Sequence, residues 1–192
     1  SESPNANLYG IWGIEVFGNQ ILLSEYGLKG VNGARYVYKS TDNGENFNII
    51  FDLQVTPLTV PNAPTPTETA HLHTIHFDRF WNRIWLSVGD NPNSNVYYSD
   101  DYGTSWQLAN NDINMQYTGI TSYGEGVIFG SDRSQNGVYV WERTRSKTDE
   151  VVIKPKLLIN NIPVITHVFE RCWRPYKKSN EMMFFASIRV ED

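Results

Sequence analysis

Acidic residues stand at the ends of three predicted strands. Glu25, Asp90 and Asp132 each close a segment rich in apolar residues. Carboxylates in such places could accept hydrogen bonds from sugar hydroxyls, and two of them facing one cleft could hydrolyse a glycosidic bond. His71 and His73 open another strand, where their i, i+2 spacing puts both imidazoles on one side. These residue types indicate either a polar binding surface or a carboxylate-based hydrolase.

A metal centre is a further interpretation of the same residues. His71, His73 and Asp90 are of the residue types that bind zinc and other transition metals, but their spacing fixes no coordination geometry. Cys172 is the only cysteine, so the sequence supports neither an internal disulfide nor a cysteine-based zinc site. We therefore predict no metal and no other cofactor.

The elements that must position these side chains are short strands. Apolar or aromatic segments alternate with clusters of Gly, Asn, Asp and Ser, and no segment has the spacing and caps of a helix. The segments group into units of four. Residues 83–90 and 96–99 of one unit align with 126–132 and 138–141 of the next. Repeated four-stranded antiparallel units predict an all-β fold of the β-propeller type.

The predicted blades span approximately residues 8-53, 71-109, 115-160 and 163-192, in a single partial propeller domain over 1-192. The last unit has two strand segments instead of four, so about three and a half blades are present. A propeller that stops short of a circle exposes sheet edges and an apolar blade face. We expect a fragment of a longer polypeptide, or a chain completed by further blades of the same or another chain.

Two turns of one pattern follow the third strand of the first and second units. Both read Ser-x-Asp-x-Gly with an aromatic residue three positions after the glycine. They are Ser40, Asp42, Gly44 and Phe47 in the first unit, and Ser99, Asp101, Gly103 and Trp106 in the second. The carboxylate can accept backbone N–H bonds across a tight hairpin, and the glycine can take a positive φ. The aromatic ring is then expected between neighbouring sheets.

These turns resemble the Asp-box (BNR) repeats of sialidases and related propellers. The resemblance covers the first two units, whereas the corresponding turn of the third, 143–149, lacks the Asp-x-Gly core. In that family the Asp boxes are structural, so the resemblance implies a structural role for the eight residues. Residues 24–26, 38–44, 71–78 and 83–90 are also similar to a subset of these propellers that includes receptor-binding proteins at phage tail tips.

The connections of an up-and-down blade decide which residues share one end of it. The loops between second and third strands lie at the same end as the blade-to-blade connections. Asp-box propellers bind ligands at that end. The predicted ligand-binding residues all fall there: Glu25, Tyr26, His71, His73, Asp90, Asp132 and Arg133. The connection 55–70 contains four prolines, and we expect it to be a stiff, extended loop that shapes the rim.

Composition and resemblance together narrow the function. The net charge of −5 argues against a nucleic-acid partner, which requires a basic face. No apolar run approaches the roughly 18 residues of a membrane span. The resemblance implies non-catalytic recognition of a cell-surface glycan or polysaccharide, as a phage receptor-binding protein or a secreted surface protein. Such a protein is expected to be extracellular or on a virion surface.

Two other functions stay open. A sialidase-like glycoside hydrolase needs an arginine cluster, a Tyr nucleophile with a Glu partner, and an Asp acid/base. The Phe-Arg-Ile-Pro motif of that family is absent, and no spacing groups Arg133, Arg171, Arg174 and Arg189 into a triad. We therefore predict no catalytic residue in this chain, and a hydrolase would need residues outside it. The second alternative is a protein-binding assembly scaffold, which an apolar axial face would favour.

Overall fold

The structure, a computed structural model, describes residues 13–26, 34–89, 94–109, 116–131 and 137–158. Strands in these ranges form three four-stranded antiparallel sheets, in which each strand pairs with the next along the chain. Blade 1 contains β1 (Ile14–Phe17), β2 (Gln20–Ser24), β3 (Tyr36–Ser40) and β4 (Asn48–Asp52). Blade 2 contains β5 (His71–Asp78), β6 (Arg83–Gly89), β7 (Asn95–Ser99) and β8 (Gln107–Leu108). Blade 3 contains β9 (Tyr117–Tyr123), β10 (Gly126–Ser131), β11 (Gly137–Glu142) and β12 (Lys154–Leu158).

The three sheets pack face to face around their first strands. Strand β5 contacts both β1 and β9, so the first strands of successive blades are neighbours. The side chains of β6 alternate between two cores, as a strand buried on both faces requires. Ile84, Leu86 and Val88 pack toward blade 1, whereas Trp85 packs toward blade 3. This arrangement confirms the predicted all-β fold of propeller blades.

The connection 55–70 is not wholly extended, because it begins with a short helix, α1 (Thr56–Thr59). Pro57 lies in its first turn, where the missing N–H costs no helical hydrogen bond, so proline richness here does not exclude a helix. The fourth unit, 163-192, lies outside the described residues. Among the residues described, no helix is long and apolar enough to cross a membrane.

The first Ser-Asp turn, residues 40–47, and the second, residues 99–106, contain the same hydrogen-bond circuit. In the second turn the Ser99 hydroxyl donates to Asp101 over 2.8 Å and accepts the N–H of Gly103 over 2.8 Å. Asp101 also accepts bonds from the backbone and hydroxyl of Ser105. In the first turn the corresponding partners are Ser40, Asp42, Gly44 and Asn46. Both glycines have a φ of +93°, which favours residues without a Cβ.

The circuit stabilises the ionised carboxylates. Hydrogen bonds from the side chain and backbone of Asn46, and from Ser40, lower the pKa of Asp42 to about 2. Burial alone would raise the pKa of Asp101, but the bonds from Ser105 and Ser99 outweigh it and lower that pKa.

The corresponding turn of blade 3 is held by an ion pair instead of the Ser-Asp hydrogen bonds. The Arg143 guanidinium, which lies just after β11, binds the fully buried Asp78 carboxylate of blade 2 through two hydrogen bonds, of 3.0 and 3.3 Å. It also donates to the carbonyls of Tyr123, the last residue of β9, and Gly124, in the turn that follows. An ion pair between blades therefore occupies the position where the other two blades have a Ser-Asp turn.

Candidate functional site

His71 and His73 lie at the start of β5, at the end of the blade where the sequence places the ligand site. Both imidazoles are buried. The pairing of β5 with β6 shifts by one residue between Leu72 and Ile75, so His73 lies within a bulge. Such irregularities change the direction of side chains at the end of a sheet. Leu72 packs into the core between blades 1 and 2, whereas the His73 ring contacts the carbonyl of Tyr117 in blade 3.

Each of the two rings has a backbone carbonyl near its Nδ1 and the other ring at its Nε2. Nδ1 of His71 lies 3.1 Å from the carbonyl oxygen of Thr69, and Nδ1 of His73 lies 3.2 Å from that of Tyr117 in blade 3. The two Nε2 atoms face each other at 2.8 Å.

Tyr26 completes a cluster of three rings from two blades. It follows β2 of blade 1, and its ring meets that of His71 edge-on, with 5.3 Å between centroids. The centroid of His73 is 6.3 Å from that of Tyr26. Tyr26 is only partly buried, whereas both imidazoles are buried. The three residues Tyr26, His71 and His73 are called the His-Tyr cluster below.

Glu25 precedes Tyr26 but is held within blade 1. One carboxylate oxygen accepts the backbone N–H groups of Arg35 and Tyr36, over 2.7 and 3.0 Å. The other accepts the hydroxyl of Tyr38 over 2.7 Å. With 2% of its surface exposed, Glu25 ties the β2–β3 connection to β3. The predicted contact of Glu25 with a ligand stays a prediction.

Gly89 leaves the space that the His73 ring occupies. It lies opposite His71 in the β5–β6 pairing. A Cβ at position 89 would be 2.5 Å from Cε1 of His73, well inside van der Waals contact. Strand β6 therefore ends in a residue without a side chain where the imidazole packs against the backbone.

Of the seven predicted ligand-binding residues, the structure brings together Tyr26, His71 and His73. Asp90, Asp132 and Arg133 lie outside the described residues. In the ranges that are described, no group of three or more His, Cys, Asp or Glu residues is placed to hold a metal ion.

A second polar group was not predicted from the sequence. His76 joins the first strands of all three blades, because its Nδ1 lies 3.2 Å from a carboxylate oxygen of Glu15 in β1. Its Nε2 lies 2.9 Å from the hydroxyl of Ser122 in β9. The sequence shows only that segment 71–76 contains a third histidine. The contacts of His76 could not be predicted, because its partners are 61 and 46 residues away along the chain.

With the blades and the cluster in place, the chain can be compared with known proteins. No family model matches the sequence, and no curated protein matches it. Among solved structures, it is similar to YCF48 from Cyanidioschyzon merolae. The TM-score is 0.46 and the identity 15%, over 74% of this chain and 40% of that one. A similarity at this level concerns the course of the backbone and adds nothing on function.

Proposed function

We propose that this protein is a non-catalytic binding module that recognises carbohydrate at the end of the propeller where the His-Tyr cluster lies. The observation that carries the proposal is the contact of Tyr26 with His71, which joins blades 1 and 2 in one aromatic cluster and leaves the Tyr26 ring partly exposed. Sugar rings are recognised by stacking on aromatic faces and by hydrogen bonds from a few fixed polar groups. Both imidazoles are fixed by backbone carbonyls, so little side-chain freedom would be lost on binding.

The proposed ligand class and location of the protein are based on the Ser-Asp turns. Their repeated circuit supports the resemblance to Asp-box propellers, and with it a cell-surface glycan or polysaccharide as the ligand. On the same basis we place the protein outside the cell or on a virion surface, as a secreted or phage receptor-binding protein.

A glycan array tests the binding module, with Tyr26→Ala as the variant and Tyr102→Ala as its control. Tyr102 is exposed and lies in the second Ser-Asp turn, at the opposite end of the blade. We expect Tyr26→Ala to weaken binding by about 10-fold or more, as the loss of a stacking ring does, and Tyr102→Ala to bind as the wild type. The proposal fails if the wild type binds no glycan, or if only the Tyr102 variant loses binding.

The hydrolase alternative is less well supported by the described residues. A carboxylate pair that uses Glu25 needs its side chain in a cleft, but both oxygens accept hydrogen bonds inside blade 1. Release of the chromophore from a panel of chromogenic glycosides by the wild-type chain, at a rate that Glu25→Gln abolishes, would establish the hydrolase instead.

The outer face of blade 1 favours a protein-binding scaffold as a second candidate. Val16 in β1 and Ile49 in β4 are 57% and 50% exposed, and Phe47 of the first Ser-Asp turn is 38% exposed. This patch fits the apolar face of a further blade, from the same or another chain. Sedimentation velocity of the wild type and of Ile49→Arg would detect association, with Leu58→Arg, at an exposed position in α1, as control. An effect of Ile49→Arg alone supports the scaffold, whereas equal behaviour of all three proteins argues against it.

A further inference from the structure

Glu15, His76 and Ser122 form a continuous series of hydrogen bonds across the first strands of the three blades. Nδ1 of His76 lies 3.2 Å from a carboxylate oxygen of Glu15, and its Nε2 lies 2.9 Å from the hydroxyl of Ser122. An ionised carboxylate accepts but cannot donate, so Nδ1 carries the hydrogen of the first contact. In the neutral imidazole Nε2 then accepts the hydroxyl hydrogen of Ser122.

This order of groups is that of a hydroxyl activated by a base. A base within about 2.6–3.2 Å of a serine hydroxyl, and itself oriented by a third group, is the arrangement that makes the serine nucleophilic. Such sets occur on unrelated folds and in different orders along the sequence, so geometry identifies them better than sequence position does. We infer that Ser122 is a nucleophile toward small acyl esters, with His76 as its general base and Glu15 as the residue that positions the imidazole.

Exposure distinguishes this serine from the serines of the Ser-Asp turns. The side chains of His76 and Glu15 are 15% and 19% exposed, and Ser122 is partly exposed as well. Ser40 and Ser99 are buried, and their hydroxyls donate to the aspartates of their own turns. A substrate can therefore approach Ser122. Because first strands from three blades meet there, we expect only a small acyl group to reach the hydroxyl.

Strand β9, which carries Ser122, also offers hydrogen-bond donors for the reaction. Among the described strands β9 pairs only with β10, so alternate N–H groups on its other edge have no ladder partner. When the hydroxyl of Ser122 attacks a carbonyl carbon, the carbonyl oxygen becomes an oxyanion. Backbone N–H groups at this edge would stabilise that negative charge.

The reaction transfers an acyl group first to serine and then to water. The Ser122 oxygen bonds to the carbonyl carbon of the ester while its hydrogen passes to Nε2 of His76. The bond from that carbon to the alcohol oxygen then breaks, and the alcohol leaves with the hydrogen from Nε2. Water attacks the acylated serine by the same steps, which releases the carboxylic acid and restores the hydroxyl. One ester and one water thus give one acid and one alcohol.

This reaction goes beyond the proposed carbohydrate recognition and does not rest on it. His76 follows His73 by three residues along β5, toward the end of the blade that carries the Ser-Asp turns. A chain that binds a glycan and has an inert Ser122 keeps the recognition proposal and loses this one. A chain with a reactive Ser122 and no affinity for glycans does the reverse.

A fluorophosphonate probe, which exchanges its fluoride for a serine oxygen, tests the nucleophile in the folded wild-type chain. We expect one labelled residue, identified as Ser122 by mass spectrometry of the digested protein. Ser122→Ala should abolish the labelling, and His76→Gln should slow it by about 100-fold or more, the contribution of a positioned general base. Thr121→Ala is the matched control, because strand alternation puts this neighbouring hydroxyl on the other face of β9. It should be labelled as the wild type is, and circular dichroism checks that each variant is folded.

Hydrolysis of p-nitrophenyl acetate, followed by the release of p-nitrophenolate, tests the role of Glu15. Glu15→Gln should lower kcat by about 10-fold or more and leave KM nearly unchanged, because it disturbs the base and not the binding of the ester. Long-range proton–nitrogen NMR of the wild type should place the hydrogen of the neutral His76 ring on Nδ1.

An unlabelled Ser122 in the folded wild type overturns the proposal, as does a probe that labels another serine as fast. A neutral His76 with its hydrogen on Nε2, or an unchanged kcat in Glu15→Gln, would also overturn it. In each of these cases the three residues would only connect the first strands of the blades.

Discussion

The two Ser-Asp turns have the same internal hydrogen bonds, but their aromatic residues pack differently. In both, the serine hydroxyl donates to the aspartate carboxylate and accepts the N–H of the glycine, with lengths that agree within about a tenth of an ångström. The aromatic residues that end them differ. Trp106 is 7% exposed, and its indole N–H donates to the carbonyl of Ile50 in blade 1 over 2.8 Å. Phe47, its counterpart, is 38% exposed.

The difference shows that the pattern encodes the turn, whereas the neighbouring blade determines what the ring contributes. The bonds of the circuit join residues within five positions, so they form wherever the pattern occurs. The ring of Trp106 packs edge-on against Phe51, 5.1 Å between centroids, because blade 1 lies on that side of blade 2. Stability is therefore expected to depend on the two turns unequally.

Replacing the two aromatic residues with alanine should give the largest difference in the free energy of unfolding between the two turns. Trp106→Ala is expected to lower the free energy of unfolding by about 3–5 kcal/mol, the usual cost for a buried large aromatic side chain. Phe47→Ala should cost less than about 1 kcal/mol, because much of its surface is already in contact with water. Urea denaturation of both variants measures the two values. Equal losses would mean that Phe47 is covered in solution by another blade.

The ion pair of blade 3 should come next. Arg143→Met leaves the fully buried carboxylate of Asp78 uncompensated, and we expect a loss of about 3 kcal/mol. Arg145→Met, two residues on and exposed, is the control and should change stability by less than about 0.5 kcal/mol. Denaturation under the same conditions compares them. If the two arginines behaved alike, blade 3 would not depend on an ion pair in place of the Ser-Asp circuit.

The two turn glycines allow a finer comparison. Both have a φ of +93°, so alanine at either position is strained by about 1–2 kcal/mol. A Cβ at Gly103 would also lie 2.7 Å from Cδ1 of Ile50 in blade 1, whereas at Gly44 the nearest atom, Cδ1 of Ile21, is 3.1 Å away. Gly103→Ala should therefore cost about 1 kcal/mol more. Thermal denaturation that ranks Gly44→Ala as the worse variant would contradict the inter-blade contact.

The smallest expected effect is the loss of folding stability at low pH that protonation of Asp42 causes. The pKa of Asp42 is about 2, below its ordinary value of 3.8, so the folded chain takes up this proton less readily than the unfolded chain. The contribution is complete above about pH 5 and is lost as the pH falls toward 2. Carbon-13 NMR of the carboxyl should titrate accordingly. Asp42→Asn should flatten the acid side of the stability profile.

Most of the fold could be predicted from the sequence because its signals are local. Alternation of apolar residues and the Gly and Asp of the turns locate strands such as Arg83–Gly89 with little error. The short helix α1 was missed, since four residues are too few to show a period. The ion pair of Arg143 with Asp78 was missed as well, because its partners are 65 residues apart and no local pattern relates them.

The candidate site was predictable in part for the same reason. The i, i+2 spacing of His71 and His73 implied a shared side of β5, and blade topology placed Tyr26 at the same end. The carbonyl partners of the rings could not be foreseen, because Tyr117 reaches His73 only through the packing of blade 3 on blade 2. Burial of Glu25 was also hidden, since its bonds depend on how the connection after β2 returns to β3.

Gly89 offers a means of moving one imidazole without changing any polar group. Its φ lies outside the left-handed region, so the backbone accepts alanine there. The added methyl would lie 2.5 Å from His73 Cε1, closer than van der Waals contact, so the imidazole would have to move. If Gly89→Ala is expressed normally and the NMR signals of His73 change, the change can be assigned to a displaced imidazole, because the substitution alters no polar group.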